Sequence, residues 1–174
     1  QITVIHALVL RETRTRFGEH RFGYLWAVLE PITVIVTFYF AFEFAGRPLS
    51  AGMDHVTFIA TGWLPYELVM NTSERAAESI NGNRALLYYP QVHRLDLVFA
   101  RALLEAATLI FAFTVIITGN ALITGRFELE DLLTVMLTLI AASLLGTGLG
   151  LVFCMSAVIS NLIERIRGPV LRPM

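Results

Sequence analysis

Four long apolar blocks, over residues 24–45, 56–79, 95–123 and 132–159, alternate with short polar stretches along this chain. Each approaches or exceeds the ~20 residues a helix needs to cross a bilayer core. No strand-like alternation interrupts them, so the pattern predicts an all-α, polytopic membrane protein in a single domain spanning 1–174. The 56–79 block is the most polar, with Pro65 and Glu67 inside it. Its helix is expected to turn a polar face toward protein or water. Ahead of the first block, residues 1–17 are too short to span and place Ile2, Ile5 and Val9 near one helical face. This predicts an amphipathic interfacial helix, with an elbow up to residue 23; a lead-in helix in water is the alternative. Between the second and third blocks, residues 81–94 form a polar loop with a short helical piece ended by Pro90.

Composition agrees with the pattern. The chain is 56% hydrophobic with a mean hydropathy of +0.67, against about 45–50% apolar residues in a soluble domain. The net charge of -1 points to no nucleic-acid partner. Every cationic side chain apart from histidine is arginine. Codon usage accounts for much of that bias, but arginine also grips carboxylates and phosphates in a forked geometry. A lone Cys154 in an apolar run rules out a disulfide framework. The chain starts at Gln1 and its last residues lead into nothing, so both ends are expected to be incomplete.

Arginines assign an orientation. Arg11, Arg14, Arg16 and Arg21 precede the first block; Arg75, Arg84 and Arg94 lie near the loop between the second and third; Arg165, Arg167 and Arg172 follow the fourth. The two opposite loops hold only Arg47 and Arg126. The positive-inside rule therefore expects a cytoplasmic N-terminus and a cytoplasmic 81–94 loop.

Several residues invite chemistry. Glu30-Pro31 lies inside the first block, where a carboxylate is costly and a proline frees a carbonyl. Either Glu30 reaches the headgroup layer alone or it pairs with an arginine at similar depth, for which Arg101 is the candidate. Arg101 and Glu105 are one helical turn apart, which suits a local ion pair and, less readily, a proton relay. Gly146, Gly150 and Cys154 recur at four-residue spacing, a pattern that lets helices approach closely. The aromatic residues, among them Tyr24, Trp26, Phe38, Tyr39, Trp63 and Tyr66, suit a lipid-facing belt or a track for sugar rings. Leu86, Leu87, Tyr88 and Tyr89 suit a docking element or a helix resting on the membrane. No phosphate-cradling GxxxxGK[ST] loop, HExxH or GxSxG occurs, and the four histidines fall in separate segments. No metal site, bound cofactor or catalytic cluster is therefore expected in this chain.

Two blocks of residues resemble the membrane subunits of ABC-type exporters of capsular polysaccharide. The first is Arg14-Thr15-Arg16-Phe17-Gly18, then Arg21, Gly23-Tyr24-Leu25-Trp26-Ala27 and Glu30-Pro31. The second is Tyr89-Pro90-Gln91-Val92, Asp96, Ala100-Arg101 and Leu104-Glu105. The resemblance covers essentially the whole chain. It implies a non-catalytic ABC-2 type permease with six spans in the full chain, working as a homodimer in the bacterial inner membrane. It further implies two separate ATPase subunits that carry ATP and Mg, a periplasmic adaptor and an outer-membrane export protein. The substrate would be a lipid-linked, often acidic, glycan. Asn83, Arg84, Leu86, Leu87, Tyr88 and Tyr89 would form the coupling element in the ATPase groove. Arg14, Arg16 and Arg21, with Tyr24 and Trp26, would attract and pass the glycan at the cytoplasmic gate; for the arginines, anionic-lipid binding is the simpler role. Rival readings are export of O-antigen or teichoic acid, a proton-coupled transporter using Glu30, Arg101 and Glu105, and a membrane-embedded transferase. The last needs an acid/base or metal cluster that the sequence does not offer.

Overall fold

A computed structural model describes residues 2–17, 22–46, 54–89, 91–125 and 131–159. Five α-helices account for nearly all of them, and no strand occurs among the described residues. They are α1 (Ile2–Phe17), α2 (Phe22–Phe44), α3 (His55–Gly82), α4 (Arg94–Thr124) and α5 (Leu132–Ile159), with a short 3₁₀ helix (Arg84–Tyr88) between α3 and α4. All four expected long helices are present, within about three residues of the expected bounds.

Local chemistry sets several helix ends. Asp54 caps α3 by accepting a hydrogen bond from the Val56 N–H at 3.2 Å. Asp96, in the first turn of α4, accepts the His93 N–H at 3.0 Å. Gly125 closes α4 with φ 68, a left-handed conformation that favours glycine. Asp131 accepts the N–H groups of Leu133 and Thr134, each at 3.1 Å, at the start of α5. The Thr134 hydroxyl and backbone N–H hold its carboxyl below the usual carboxylate range. α2 runs unbroken through Pro31, whose ring is buried.

The helices form a bundle centred on α3, which packs most extensively against α5 and α4. One apolar core joins Ile35 of α2, Leu64 and Leu68 of α3, Leu109 and Phe113 of α4, and Leu139 of α5. Three helices are long and apolar enough to cross a membrane among the described residues, over Leu25–Phe44, Arg94–Thr124 and Leu132–Met155. The chain is thus an all-α, polytopic membrane protein. α3 has 28 residues, which is ample length, but a more polar composition. Its polarity has a place to go: Thr72, Ser73 and Ser79 are buried inside the bundle. A helix shielded by its neighbours does not need an apolar surface on every side.

The glycine pattern of α5 meets α3 of the same chain. A Cβ built on Gly150 would stand 2.4 Å from the Ala76 Cβ, and one on Gly146 would stand 2.9 Å from both the Thr72 Cβ and the Val69 carbonyl oxygen. The Ser73 hydroxyl lies within 3.1 Å of the Gly146 carbonyl, bonding across the contact. Gly148, between them, faces open space. Gly150→Ala and Gly146→Ala should each destabilise the bundle by about 1–3 kcal/mol through overpacking. Gly148→Ala should be neutral or slightly stabilising, since helix propensity favours alanine. Thermal unfolding of the purified variants in detergent checks the order; equal behaviour of all three would refute the close α3–α5 contact.

Candidate functional site

At the end of the bundle where α1 lies, three helices meet around buried charge. α4 has 31 residues, roughly ten more than a bilayer core requires. Its first turns therefore have length to spare beyond the membrane, and α1 packs along them.

The contact has a constant register. Leu8 shares an apolar cluster with Leu97 and Ala100. One turn on, Glu12 Oε1 stands 2.9 Å from Arg101 Nε. One further turn on, Arg16 pairs with Glu105, its second guanidinium nitrogen lying 3.4 Å from the other carboxylate oxygen. Each pair is separated by 89 positions, so the two helices run parallel, four residues at a time. An apolar contact and two ion pairs of opposite polarity then fix direction and register together. A one-turn slip would place Glu12 on Glu105.

α3 closes the junction from the other side. Arg75 Nε approaches Glu105 at 3.1 Å. The Arg101 guanidinium lies 3.4 Å from the Arg75 carbonyl oxygen, and it crosses so near Gly82 that a Cβ there would stand 3.3 Å from it. Arg11 donates to the Asn83 side-chain oxygen at 2.8 Å, and Asn83 donates to the Ser79 carbonyl at 3.1 Å. Glu105 is only 1% exposed. A carboxylate removed from water this completely costs several kcal/mol unless it is paired, and two guanidiniums offset that cost.

The junction seats the 81–94 loop. Leu86 and Leu87 turn inward and pack, with Val92, onto the cluster of Leu8, Leu97 and Ala100. Tyr88 and Tyr89 turn outward, 90% and 63% exposed. Five of the six residues expected to couple to a partner therefore divide by side: Asn83 is buried in the junction, the leucines anchor, and the tyrosines project.

Other expected site residues fall elsewhere. Arg101 pairs with Glu12, not with Glu30, which sits exposed on α2. The Arg101–Glu105 local pair does not form either, because each residue has a stronger partner on α1. Arg16 points into the junction, whereas Arg14 is exposed on the next face. Arg21 and the side chains of Tyr24 and Arg84 lie outside the described residues; Trp26 is exposed. The inward face of α1 keeps Val9 of the expected set but is otherwise made by Val4, Leu8, Glu12 and Arg16, in line with the ion pairs. Sequence reasoning missed Arg11, Glu12 and Arg75. The signal was present, since Glu12/Arg16 and Arg101/Glu105 are four-residue pairs of reversed sign.

Two grooves flank α2. One, of about 610 Å³, runs between α2 and α4 and is mainly aliphatic, with Asp54 and Asn120 at its polar end. The other, of about 570 Å³, runs between α2 and α3 and is mainly aromatic.

These features define an α-helical membrane protein whose short helix and inter-helix loop are tied to the bundle by a charged ladder. No family model matches the chain. Among curated proteins, the polysialic acid transport protein KpsM of Escherichia coli is 31% identical over 176 residues, covering 100% of this chain and 67% of its own length. The capsule polysaccharide export inner-membrane protein CtrC of Neisseria meningitidis serogroup A is 33% identical over 154 residues, covering 88% of this chain and 58% of its own. BexB of Haemophilus influenzae, which carries the same description, is 29% identical over 151 residues, covering 87% and 57%. The chain belongs to this family of capsule polysaccharide export inner-membrane permeases.

Arg16→Ala strands the buried Glu105 with a single, half-exposed partner and should cost about 3 kcal/mol. Arg75→Ala should cost less than about 1 kcal/mol, because Arg75 is 46% exposed and solvent screens its contribution. Thermal unfolding in detergent should show the first variant lower by roughly 6–12 °C. A larger loss for Arg75→Ala would contradict the dominance of the α1–α4 ladder.

Proposed function

We propose that this chain is the membrane-spanning, non-catalytic permease subunit of an ATP-driven exporter that moves lipid-linked capsular polysaccharide across the bacterial inner membrane. α3 crosses the bilayer beside α2, α4 and α5, its polar groups shielded by its neighbours. The N-terminus and the 81–94 loop face the cytoplasm, a placement the arginine distribution supports. The working unit is a homodimer with two ATPase subunits, joined by periplasmic and outer-membrane export partners. ATP and Mg belong to the ATPase.

One observation carries this reading beyond the likeness to relatives: Tyr88 and Tyr89 project while Leu86 and Leu87 grip the bundle beneath them. An exposed aromatic pair on a firmly seated base suits a groove in another protein, since aromatic anchors supply much of the affinity at interfaces. A push on the tyrosines bears on the leucines, and through their cluster on α1 and α4. The ladder then moves α1 and α4 as one body. α2 follows α1 closely along the chain and touches it, so a displacement at the loop becomes a tilt of the first span.

Within this reading Arg16 positions α1, while Arg14 and Arg21 remain to attract the acidic head of the glycan at the cytoplasmic mouth. Trp26 stands beyond them on α2. Glu105, held between two guanidiniums, serves the junction and not a proton path. Export of O-antigen or teichoic acid would use the same machinery, but the relatives named for capsule export favour capsule.

Co-expression with the ATPase of the same export system tests the assignment. The double variant Tyr88→Ala, Tyr89→Ala should reach the membrane at the normal level, bind the ATPase about ten- to hundredfold more weakly and lose surface polysaccharide. Normal ATPase recovery on an affinity-tagged double variant would show that the tyrosines are not the docking element.

A further inference from the structure

The aromatic groove between α2 and α3 has a polar edge. Trp63 on α3 faces Phe38 on α2 with ring centroids 5.4 Å apart and planes at 47°. Tyr66 follows at 5.6 Å and 51° from Trp63. Rings inclined in this way form an open shelf, where a closed stack would leave no face available. Beneath the shelf the helix backbone is bare: Gly62 is exposed, and a Cβ built there meets nothing within 4 Å.

Glu67, half-buried, lies one helical turn beyond Trp63 and is bonded to it. Its Oε2 accepts the Trp63 indole N–H at 3.1 Å, and its Oε1 accepts the Asn71 amide at 3.4 Å. Trp63, Glu67 and Asn71 thus form one four-residue ladder along α3. The two oxygens of a carboxyl group offer about four hydrogen-bonding positions and the ladder uses two. The remaining two, together with the Tyr66 hydroxyl, meet the hydrogen-bonding needs of a ligand bearing hydroxyl groups. An acyl chain has no use for them, and the aliphatic groove on the α4 side of α2 suits such a chain better.

We propose that Trp63, Tyr66 and Glu67, with Phe38 opposite, Gly62 as the open floor and Asn71 orienting the Glu67 carboxyl, form a subsite that holds one sugar ring of the transported glycan. The proposal rests on the export reading and adds to it a place and a chemistry. The ring lays its C–H face on Trp63 and directs hydroxyl groups to Glu67 (a carboxylate is the acceptor best matched to a sugar diol).

Photo-crosslinking in the native host, with the full-length protein in its complete export complex, tests this. Tyr66→p-benzoylphenylalanine, in cells fed tritiated glucose, should capture labelled glycan about tenfold more than the same probe at Phe99, an exposed position on α4. Gly62→Leu places its Cβ in open space and extends over the floor; it should abolish that capture and lower surface glycan by roughly tenfold at an unchanged membrane level. Equal labelling at positions 66 and 99 would overturn the proposal, as would normal surface glycan from Gly62→Leu. Capture of tritiated palmitate in place of sugar would reassign the groove to a lipid tail. Deleting the gene without loss of surface glycan would instead overturn the export reading, and it is measured independently of the groove.

Discussion

A carboxylate buried at the meeting point of three helices governs the rest of this structure. Glu105 is nearly inaccessible to water, so it cannot stay charged without partners close at hand. Arg16 comes from α1 and Arg75 from α3, and neither helix can rotate or slide by a turn without breaking the contact. The neighbouring Glu12–Arg101 pair repeats the constraint with the signs reversed. Two oppositely directed pairs are a stronger register device than two alike, because a one-turn displacement turns attraction into repulsion. A short helix is thereby held in one orientation beside a long one.

The loop between α3 and α4 inherits its geometry from this junction. Leu86 and Leu87 find an apolar floor only because α1 lies against α4 at the register the ion pairs set. Asn83, bonded to Arg11 and to the Ser79 carbonyl, ties the loop's start to the same assembly. With its base fixed, the loop presents Tyr88 and Tyr89 outward. Anchoring and presentation thus come from adjacent residues in a single turn.

Further into the bundle a different rule applies. α3 carries polar residues that a lipid-facing helix would not tolerate, and it takes the central place, where α5 approaches to within backbone contact through Gly146 and Gly150. The side of α3 turned toward α2 keeps its aromatic and acidic residues partly open, along the groove. One helix therefore serves two purposes: a small-residue face for packing and a polar-aromatic face left accessible.

The amino-acid sequence by itself determined the class of fold, the number and bounds of the long helices, and the small-residue stripe of α5. These depend on local hydropathy and spacing, which the chain displays directly. The resemblance in the Arg14–Pro31 and Tyr89–Glu105 blocks also led to the family, with a relative 31% identical along the whole chain. Partner choice was decided only by the tertiary structure. Arg101 was expected opposite Glu30 because both were placed at similar depth, yet depth says nothing about which helices are neighbours. The reversed four-residue charge pairs of α1 and α4 were visible, but their match appears only when the helices are set parallel. The glycines of α5 announced a close approach without naming α3 as its target. Ion pairs and glycine contacts between distant segments depend on how helices are arranged in space, and a one-dimensional pattern does not carry that arrangement.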